Sequence, residues 1–171
     1  KITPYEDVVL DKPLIETIPT PSKVITEDHT EELGVTEWTL ENGVRIILKP
    51  TDFKNDEVLF SARSPGGSSL VDDNKYVAAM TATSVIKEAG IGQFNQIELD
   101  KMLAGKIARV NPYIGGIEEG FNGSASPQDL ETLFQLIHLY FSAPRLDSSA
   151  FLAYQERMNG FLENRSSRPE N

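Results

Sequence analysis

The sequence of 171 residues contains no cysteine, only two histidines and a single tryptophan. The absence of cysteine excludes disulfide bonds and every zinc site that is built from thiolates. No run approaches the roughly 18 apolar residues that a membrane-spanning helix requires, so we expect no membrane insertion. Basic residues are also scarce, because 16 lysines and arginines face 26 acidic residues and give a formal net charge of -10. This charge argues against nucleic acid as a partner, since phosphates need a basic surface.

The composition suits a globular domain preceded by a less regular segment. Apolar residues make up 39% of the chain and charged residues 25%, which is ordinary for a folded domain. Residues 1–34 hold four of the ten prolines, are rich in acidic residues and show no lasting periodicity. Such a composition is typical of an extended linker or arm. We therefore predict an acidic arm at residues 1–34 and an ordered domain at residues 35–171, with further strands of its sheet beyond Asn171.

Alternating apolar residues predict three strands at the start of the ordered domain. The first two strands flank an Asn-Gly dipeptide at residues 42–43. This dipeptide is typical of a tight hairpin turn, because both of its residues tolerate positive φ. The third strand covers residues 57–64 and ends in the turn sequence Pro-Gly-Gly-Ser-Ser at residues 65–69.

Two helices are predicted after these strands. The first covers residues 75–89 and ends at Gly90, which is a common helix terminator. The second begins at Asn95, and Glu98 lies three residues further on. This spacing predicts a reciprocal capping pair at the helix start.

Two further strands, at residues 107–113 and 117–125, are predicted to form a second hairpin. A third helix then begins at Ser126 and ends before Pro144, and a fourth begins near Asp147. We expect the apolar stripe of the third helix to face the sheet. That stripe consists of Leu130, Leu133, Phe134, Ile137, Tyr140 and Phe141.

The predicted order of elements is βββααββαα. Strands and helices come in blocks and do not alternate singly. This order predicts an α+β fold, in which helices pack on one face of an antiparallel sheet.

The two histidines do not form a candidate metal site. His29 lies in the acidic arm, and His138 lies at the edge of the apolar stripe of the third helix. A zinc site normally has at least three protein ligands brought together by the fold. We therefore interpret His29 as a solvated residue and His138 as a packed or half-exposed helix residue.

The paired carboxylates and the glycine-rich turn also have simpler interpretations than catalysis. Glu118 and Glu119 are neighbours in a strand, so their side chains point to opposite faces and form no catalytic dyad. Asp72 and Asp73 have the position of helix caps. The Gly-Gly-Ser-Ser sequence at residues 66–69 lacks the lysine of a phosphate-binding loop, so we interpret it as a turn.

Several segments resemble one peptidase family. The sequence Glu-Trp-Thr-Leu-Glu-Asn-Gly-Val-Arg-Ile-Ile-Leu-Lys-Pro at residues 37–50 resembles the opening hairpin of pitrilysin/insulinase-type zinc metallopeptidases, the inverzincins. The strand that runs into Gly-Gly-Ser-Ser at residues 60–69 is similar to the same family. So are Gly-Phe-Asn-Gly-Ser-Ala-Ser at residues 120–126 and the two helices after it. The resemblance covers about residues 33–171 and depends on the order and spacing of these segments.

The family binds zinc through His-x-x-Glu-His on the first helix and through a distant glutamate. The corresponding helix in this sequence, at residues 76–90, contains no histidine. Glu88 is its only carboxylate, and Glu163 is the nearest match to the distant glutamate. We therefore carry over no catalytic residue and no metal ligand, and we expect no cofactor in this chain. Residues that contact substrate stay unassigned.

The resemblance implies the second, inactive half of a two-half peptidase whose halves enclose a chamber like a clamshell. It implies a homologous zinc-bearing half of the same parent chain as partner, zinc in that half, and a peptide substrate. Likeness to members from the bacterial envelope implies an extracytoplasmic location, such as the periplasm. Two alternatives remain at this point: a scaffold or assembly subunit of the same fold without peptidase activity, and an unrelated small binding module.

Overall fold

The computed structural model of the protein describes residues 12–166. These residues divide into two compact units, Ile15–Glu57 and a larger one of residues 12–14 together with 58–166. The predicted α+β class and the antiparallel pairing are confirmed. The strands form two three-stranded sheets, and the observed order is ββββααββαα. None of the helices within residues 12–166 combines the length and apolarity needed to cross a bilayer.

The smaller unit is a single antiparallel sheet with the strand order β1-β2-β3. Its turn between β2 and β3 forms at the predicted Asn-Gly dipeptide. Gly43 has a φ of +84°, and its N–H donates to the carbonyl of Leu40 at 2.9 Å. The strands are β1 (Val24–Thr30), β2 (Val35–Leu40) and β3 (Arg45–Leu48).

Strand β1 lies inside the segment that was predicted as a linker. It pairs with β2 so that Glu27 stands opposite Trp38 and His29 opposite Thr36. All seven side chains of β1 are exposed, so the strand lacks the apolar alternation by which strands are predicted. The prediction for residues 1–34 is therefore corrected at residues 24–30, while residues 1–11 lie outside the described part.

The larger unit contains a second antiparallel sheet and four helices. Its strand order is β4-β6-β5, so β6 is central and the other two strands are edges. The strands are β4 (Val58–Pro65), β5 (Ala108–Ile114) and β6 (Glu118–Ala125). The helices are α1 (Tyr76–Ala89), α2 (Gln96–Met102), α3 (Leu130–Ser142) and α4 (Ser148–Ser166).

Part of the core of the larger unit lies between one face of its sheet and α3, and Ile91 and Phe94 in the α1–α2 connection are also buried. Leu133, Leu136 and Leu139 are the buried residues of α3, and Leu133 is completely inaccessible. The predicted stripe was wrong for Phe134 and Phe141, which are 51% and 73% exposed. The apolar residues of α3 cover more than half of its circumference, so periodicity alone does not select which of them face the sheet.

The end of α1 and the start of α2 follow the local chemistry of the sequence, whereas the predicted caps Asp72 and Asp73 make no side-chain capping bond before α1. The side chain of Asn95 accepts the N–H of Glu98 at 3.0 Å, and the Glu98 carboxylate accepts the N–H of Asn95 at 2.9 Å. This reciprocal cap at the start of α2 confirms the predicted pair. Gly90 ends α1 with a φ of +86°, a conformation that glycine adopts without strain.

Candidate functional site

Helix α1 follows the glycine-rich turn and contains no histidine. Its only carboxylate, Glu88, forms an ion pair with the guanidinium of Arg157 on α4. That guanidinium also lies over the ring of Tyr154, at 5.5 Å from the ring centroid. Glu88 thus links α1 to α4, and its carboxylate already has a cationic partner.

The residues of the described chain do not fit a zinc site. His29 lies on exposed β1, and its Nδ1 atom is 3.1 Å from Oγ1 of Thr36. His138 lies half-buried on α3 and Glu163 lies on α4, as predicted from the sequence. No group of three or more His, Cys, Asp or Glu side chains within residues 12–166 could hold a metal ion. We therefore derive no metal-dependent step for this chain.

The two neighbouring glutamates of β6 point to opposite faces of the sheet. Glu119 accepts the N–H of Gly67 at 2.7 Å, and Glu118 accepts the hydroxyl of Tyr113 at 3.3 Å. Gly67 has a φ of +64°, and a Cβ there would lie 2.4 Å from the carbonyl oxygen of Gly115. The glycine-rich turn is therefore held tightly against the sheet. Its glycines serve this close approach, which agrees with the interpretation as a turn.

The carboxylate of Asp129, which is buried in the larger unit, has a structural environment. It accepts the N–H of Ile107 at 2.9 Å and the hydroxyl of Ser126 at 2.8 Å, while Lys106 lies 3.3 Å away. The N–H of Ile107 and the Ser126 hydroxyl stabilise the ionised form, so they lower the pKa of Asp129 below its usual value. These bonds tie the start of β5 to the start of α3. They leave Asp129 without the raised pKa that a general acid needs.

A polar surface, which sequence reasoning missed, covers the side of the sheet opposite α3. Asn122 in the central strand stands opposite both Ser61 and Asn111. The hydroxyl of Ser61 donates to Oδ1 of Asn122 at 3.1 Å, and Nζ of Lys87 donates to Oδ1 of Asn111 at 2.7 Å. We call this surface the exposed sheet face. It consists of Leu59, Ser61, Arg63, Arg109, Asn111, Tyr113, Glu118, Gly120, Asn122 and Ser124.

A groove runs along edge strand β5, beside the exposed sheet face. Its volume is about 290 Å³, and side chains of α1, α2 and α3 complete its walls. Lys87, Asp100 and Arg109 are its charged residues. Asp100 accepts a hydrogen bond from the side chain of Gln96 at 2.8 Å. The alternation of polar with apolar residues in β4 and β5 indicates one polar face for each strand, but the sequence does not show that these two faces adjoin.

Sequence comparison relates the chain to zinc proteases. Over 141 residues, or 82% of this chain, it is 28% identical to the zinc protease PQQL-like of Arabidopsis thaliana. Over 137 residues, or 80% of this chain, it is 23% identical to the probable zinc protease PqqL of Haemophilus influenzae. The chain is homologous to a segment of PqqL-like zinc proteases. The matched segments are only 12% and 15% of these two relatives, and no family model matches the chain.

Solved structures show the same fold. The crystal structure of the periplasmic protease PqqL from Escherichia coli matches with a TM-score of 0.81 and 19% identity. That match covers 99% of this chain and 19% of the PqqL chain. A mutant of the ferredoxin protease FusC in complex with Arabidopsis ferredoxin matches with a TM-score of 0.68 and 22% identity, over 86% of this chain and 17% of its own. Together with the sequence relatives, these matches confirm the predicted resemblance to insulinase-type zinc proteases.

Proposed function

We propose that this chain is a non-catalytic domain of a two-half zinc metallopeptidase, which lines the substrate chamber and helps to hold polypeptide substrate. The observation that carries the proposal is helix α1. It occupies the place in the element order where the family carries His-x-x-Glu-His, yet its only carboxylate is Glu88, which pairs with Arg157. A helix with no imidazole and no free carboxylate supplies neither metal ligand nor general base.

The partner in this proposal is the homologous zinc-bearing half of the same parent chain, and zinc is bound there. The relatives' names support zinc in the parent protein, and the FusC structure with ferredoxin supports a polypeptide substrate. The acidic, proline-rich segment before Leu33 is proposed as the connector between the halves. The periplasmic PqqL structure supports an extracytoplasmic location.

The physical contribution of such a domain is to position substrate from the side opposite the metal. Zinc in the partner half would supply an activated water, and the residues of this domain would hold the scissile peptide in line with it. Contacts made far from the reacting atoms supply the free energy for that positioning. The sheet of the larger unit offers edge strands, and an extended peptide can add to such an edge through main-chain hydrogen bonds.

The test measures turnover of a mixed peptide library by the zinc-bearing half, with and without the chain. We expect no turnover by the chain alone and restored turnover when both are present. The matched controls are Gly120→Ala, which forces a Cβ into the β4 backbone, and Gly116→Ala, whose Cβ meets no atom within 4 Å. Only the Gly116 variant should restore turnover. If the chain is shown to associate with the zinc-bearing half but turnover is the same with and without it, a scaffold role is favoured instead.

A further inference from the structure

Two arginines in the part of the chain that the structure describes form no ion pair. Arg63 on β4 and Arg109 on β5 have no carboxylate within ion-pair distance among residues 12–166. Both are exposed. This is unusual in a chain with 26 acidic residues and 16 basic ones. Three other arginines of the described part form ion pairs: Arg45 with Glu37, Arg145 with Asp147, and Arg157 with Glu88. Arg165 is also engaged in an interaction.

The two unpaired arginines lie on the same surface, the exposed sheet face. Arg63 stands opposite Gly120 of β6, and Arg109 stands opposite Ser124, four residues further along that strand. Since β4 and β5 are two strand spacings apart, the two Cα atoms are separated by about 16 Å. The two guanidinium groups therefore present two separate cationic positions on one surface.

The other charged groups of this surface leave it cationic. Lys87 adds a third cation beside Arg109 through its bond to Asn111. Two carboxylates oppose these cations. Glu118, at the start of β6, accepts the hydroxyl of Tyr113, and Asp100 lies in the groove beside Lys87 and Arg109. Three cations thus face two carboxylates, which leaves one excess positive charge on this surface of an otherwise acidic protein.

We propose that the exposed sheet face binds an extended acidic segment of polypeptide substrate, with Arg63 and Arg109 each pairing with one carboxylate. This inference rests on the proposed function and adds the chemical class of the substrate. A guanidinium donates two parallel hydrogen bonds to a carboxylate, which makes arginine well suited to this contact. An extended peptide covers the distance between the two arginines in about five residues. Side chains of an extended segment alternate between two faces, so both carboxylates face the sheet only at an even spacing. The best segment therefore has acidic residues four positions apart, about 13 Å, and the long arginine side chains cover the remaining distance.

The experiment measures binding of two fluorescent ten-residue peptides to the full chain by anisotropy at low salt. One peptide carries glutamates four positions apart, and the other carries glutamines at the same positions. We expect the glutamate peptide to bind roughly tenfold more tightly, with a preference that falls as salt is added. Arg63→Gln and Arg109→Gln should each weaken it about threefold, and the double variant should bind both peptides equally within about twofold.

Arg45→Gln is the matched control, because Arg45 is also an exposed strand arginine but already pairs with Glu37. It should change glutamate-peptide binding by less than about twofold. As a rescue, Arg109→Glu should prefer one of the two peptides in which a single glutamate is replaced by lysine. Equal binding of the two peptides, no binding of either, or equal weakening by Arg45→Gln would overturn the inference. So would tighter binding of a single-stranded oligonucleotide than of the glutamate peptide.

The experiments distinguish failure of the acidic-segment inference from failure of the proposed function. If the chain restores turnover of neutral and acidic peptides equally, the chamber role stands and the acidic preference is wrong. If it restores no turnover while the glutamate peptide still binds through both arginines, the peptidase role is wrong and the binding site stands.

Discussion

The ring of Phe134 on α3 meets the ring of Phe60 on β4 edge to face, with their centroids 5.8 Å apart. The contact covers only part of Phe134, because half of this residue remains exposed. The preceding residue, Leu133, is completely inaccessible. Helix α3 therefore packs on the sheet through its leucines, and its aromatic rings lie at the margin of the contact.

This arrangement predicts that Leu133 contributes more to stability than Phe134. Leu133→Ala should lower the free energy of unfolding by about 2–5 kcal/mol, because it leaves a cavity in the core. Phe134→Ala should cost only about 1–2 kcal/mol, since the ring is partly solvated already. Glu131→Ala, a surface change on the same helix, should cost under about 0.5 kcal/mol. Urea unfolding of the three variants measures this order, and a larger loss for Phe134 would contradict the packing.

Gly120 is predicted to be indispensable to the pairing of β4 with β6. A Cβ at this position would lie 1.9 Å from the carbonyl oxygen of Ala62, so the strands must separate to admit it. Gly120→Ala should therefore cost about 3 kcal/mol, at the upper end of overpacking effects. Gly116→Ala, in the β5–β6 turn with no neighbour within 4 Å, serves as the control. Similar thermal midpoints for the two variants would refute this account of the pairing.

Asp147 at the start of α4 is predicted to make stability depend on acid pH. The hydroxyl of Ser149 and the N–H of Ala150 donate to its carboxylate and lower its pKa from 3.8 to about 2. The folded state therefore favours the ionised form. This stabilisation is complete above the unfolded pKa and is lost as pH falls through the folded one.

Asp147→Asn should accordingly flatten the decline in unfolding free energy between about pH 4 and pH 2. Urea titrations at several pH values across this range provide the measurement. Ser149→Ala, which removes one donor to the Asp147 carboxylate, is the comparison variant and should flatten the slope less than Asp147→Asn does. An unchanged slope for Asp147→Asn would show that the bonds to Ser149 and Ala150 do not persist in solution.

The chain is also predicted to bind no stoichiometric zinc at micromolar concentration. Isothermal titration at neutral pH measures this, with a double variant His29→Ala and His138→Ala as reference. The two histidines lie on different elements, and within residues 12–166 neither has two further ligands beside it. A one-to-one site that survives removal of both histidines would mean that the fold assigned to the chain is wrong.

Features set by neighbouring residues could be predicted from the sequence. The cap formed by Asn95 and Glu98, the Asn-Gly turn and the glycine that ends α1 depend on contacts within a few residues. Features set by distant contacts could not be predicted in the same way. Strand β1 has no buried residue to reveal it, and its partner β2 supplies the pairing.

The candidate site was less predictable than the fold. The absence of histidine from α1 could be predicted, because the residue types of a segment are known from the sequence without its three-dimensional structure. The exposed sheet face is not visible, since Arg63 and Arg109 are 46 positions apart and become neighbours on one surface only when both strands pair with β6. Their lack of carboxylate partners within residues 12–166 is likewise a property of the folded chain.

Strand β1 has a consequence for solubility. It is an edge strand with all side chains exposed, and such an edge can recruit strands from other molecules. Glu27 and Asp28 lie in its middle, and Glu31 and Glu32 follow at its end. When two copies approach through this edge, like charges meet and repel each other. The acidity of this segment thus protects the protein from edge-to-edge aggregation.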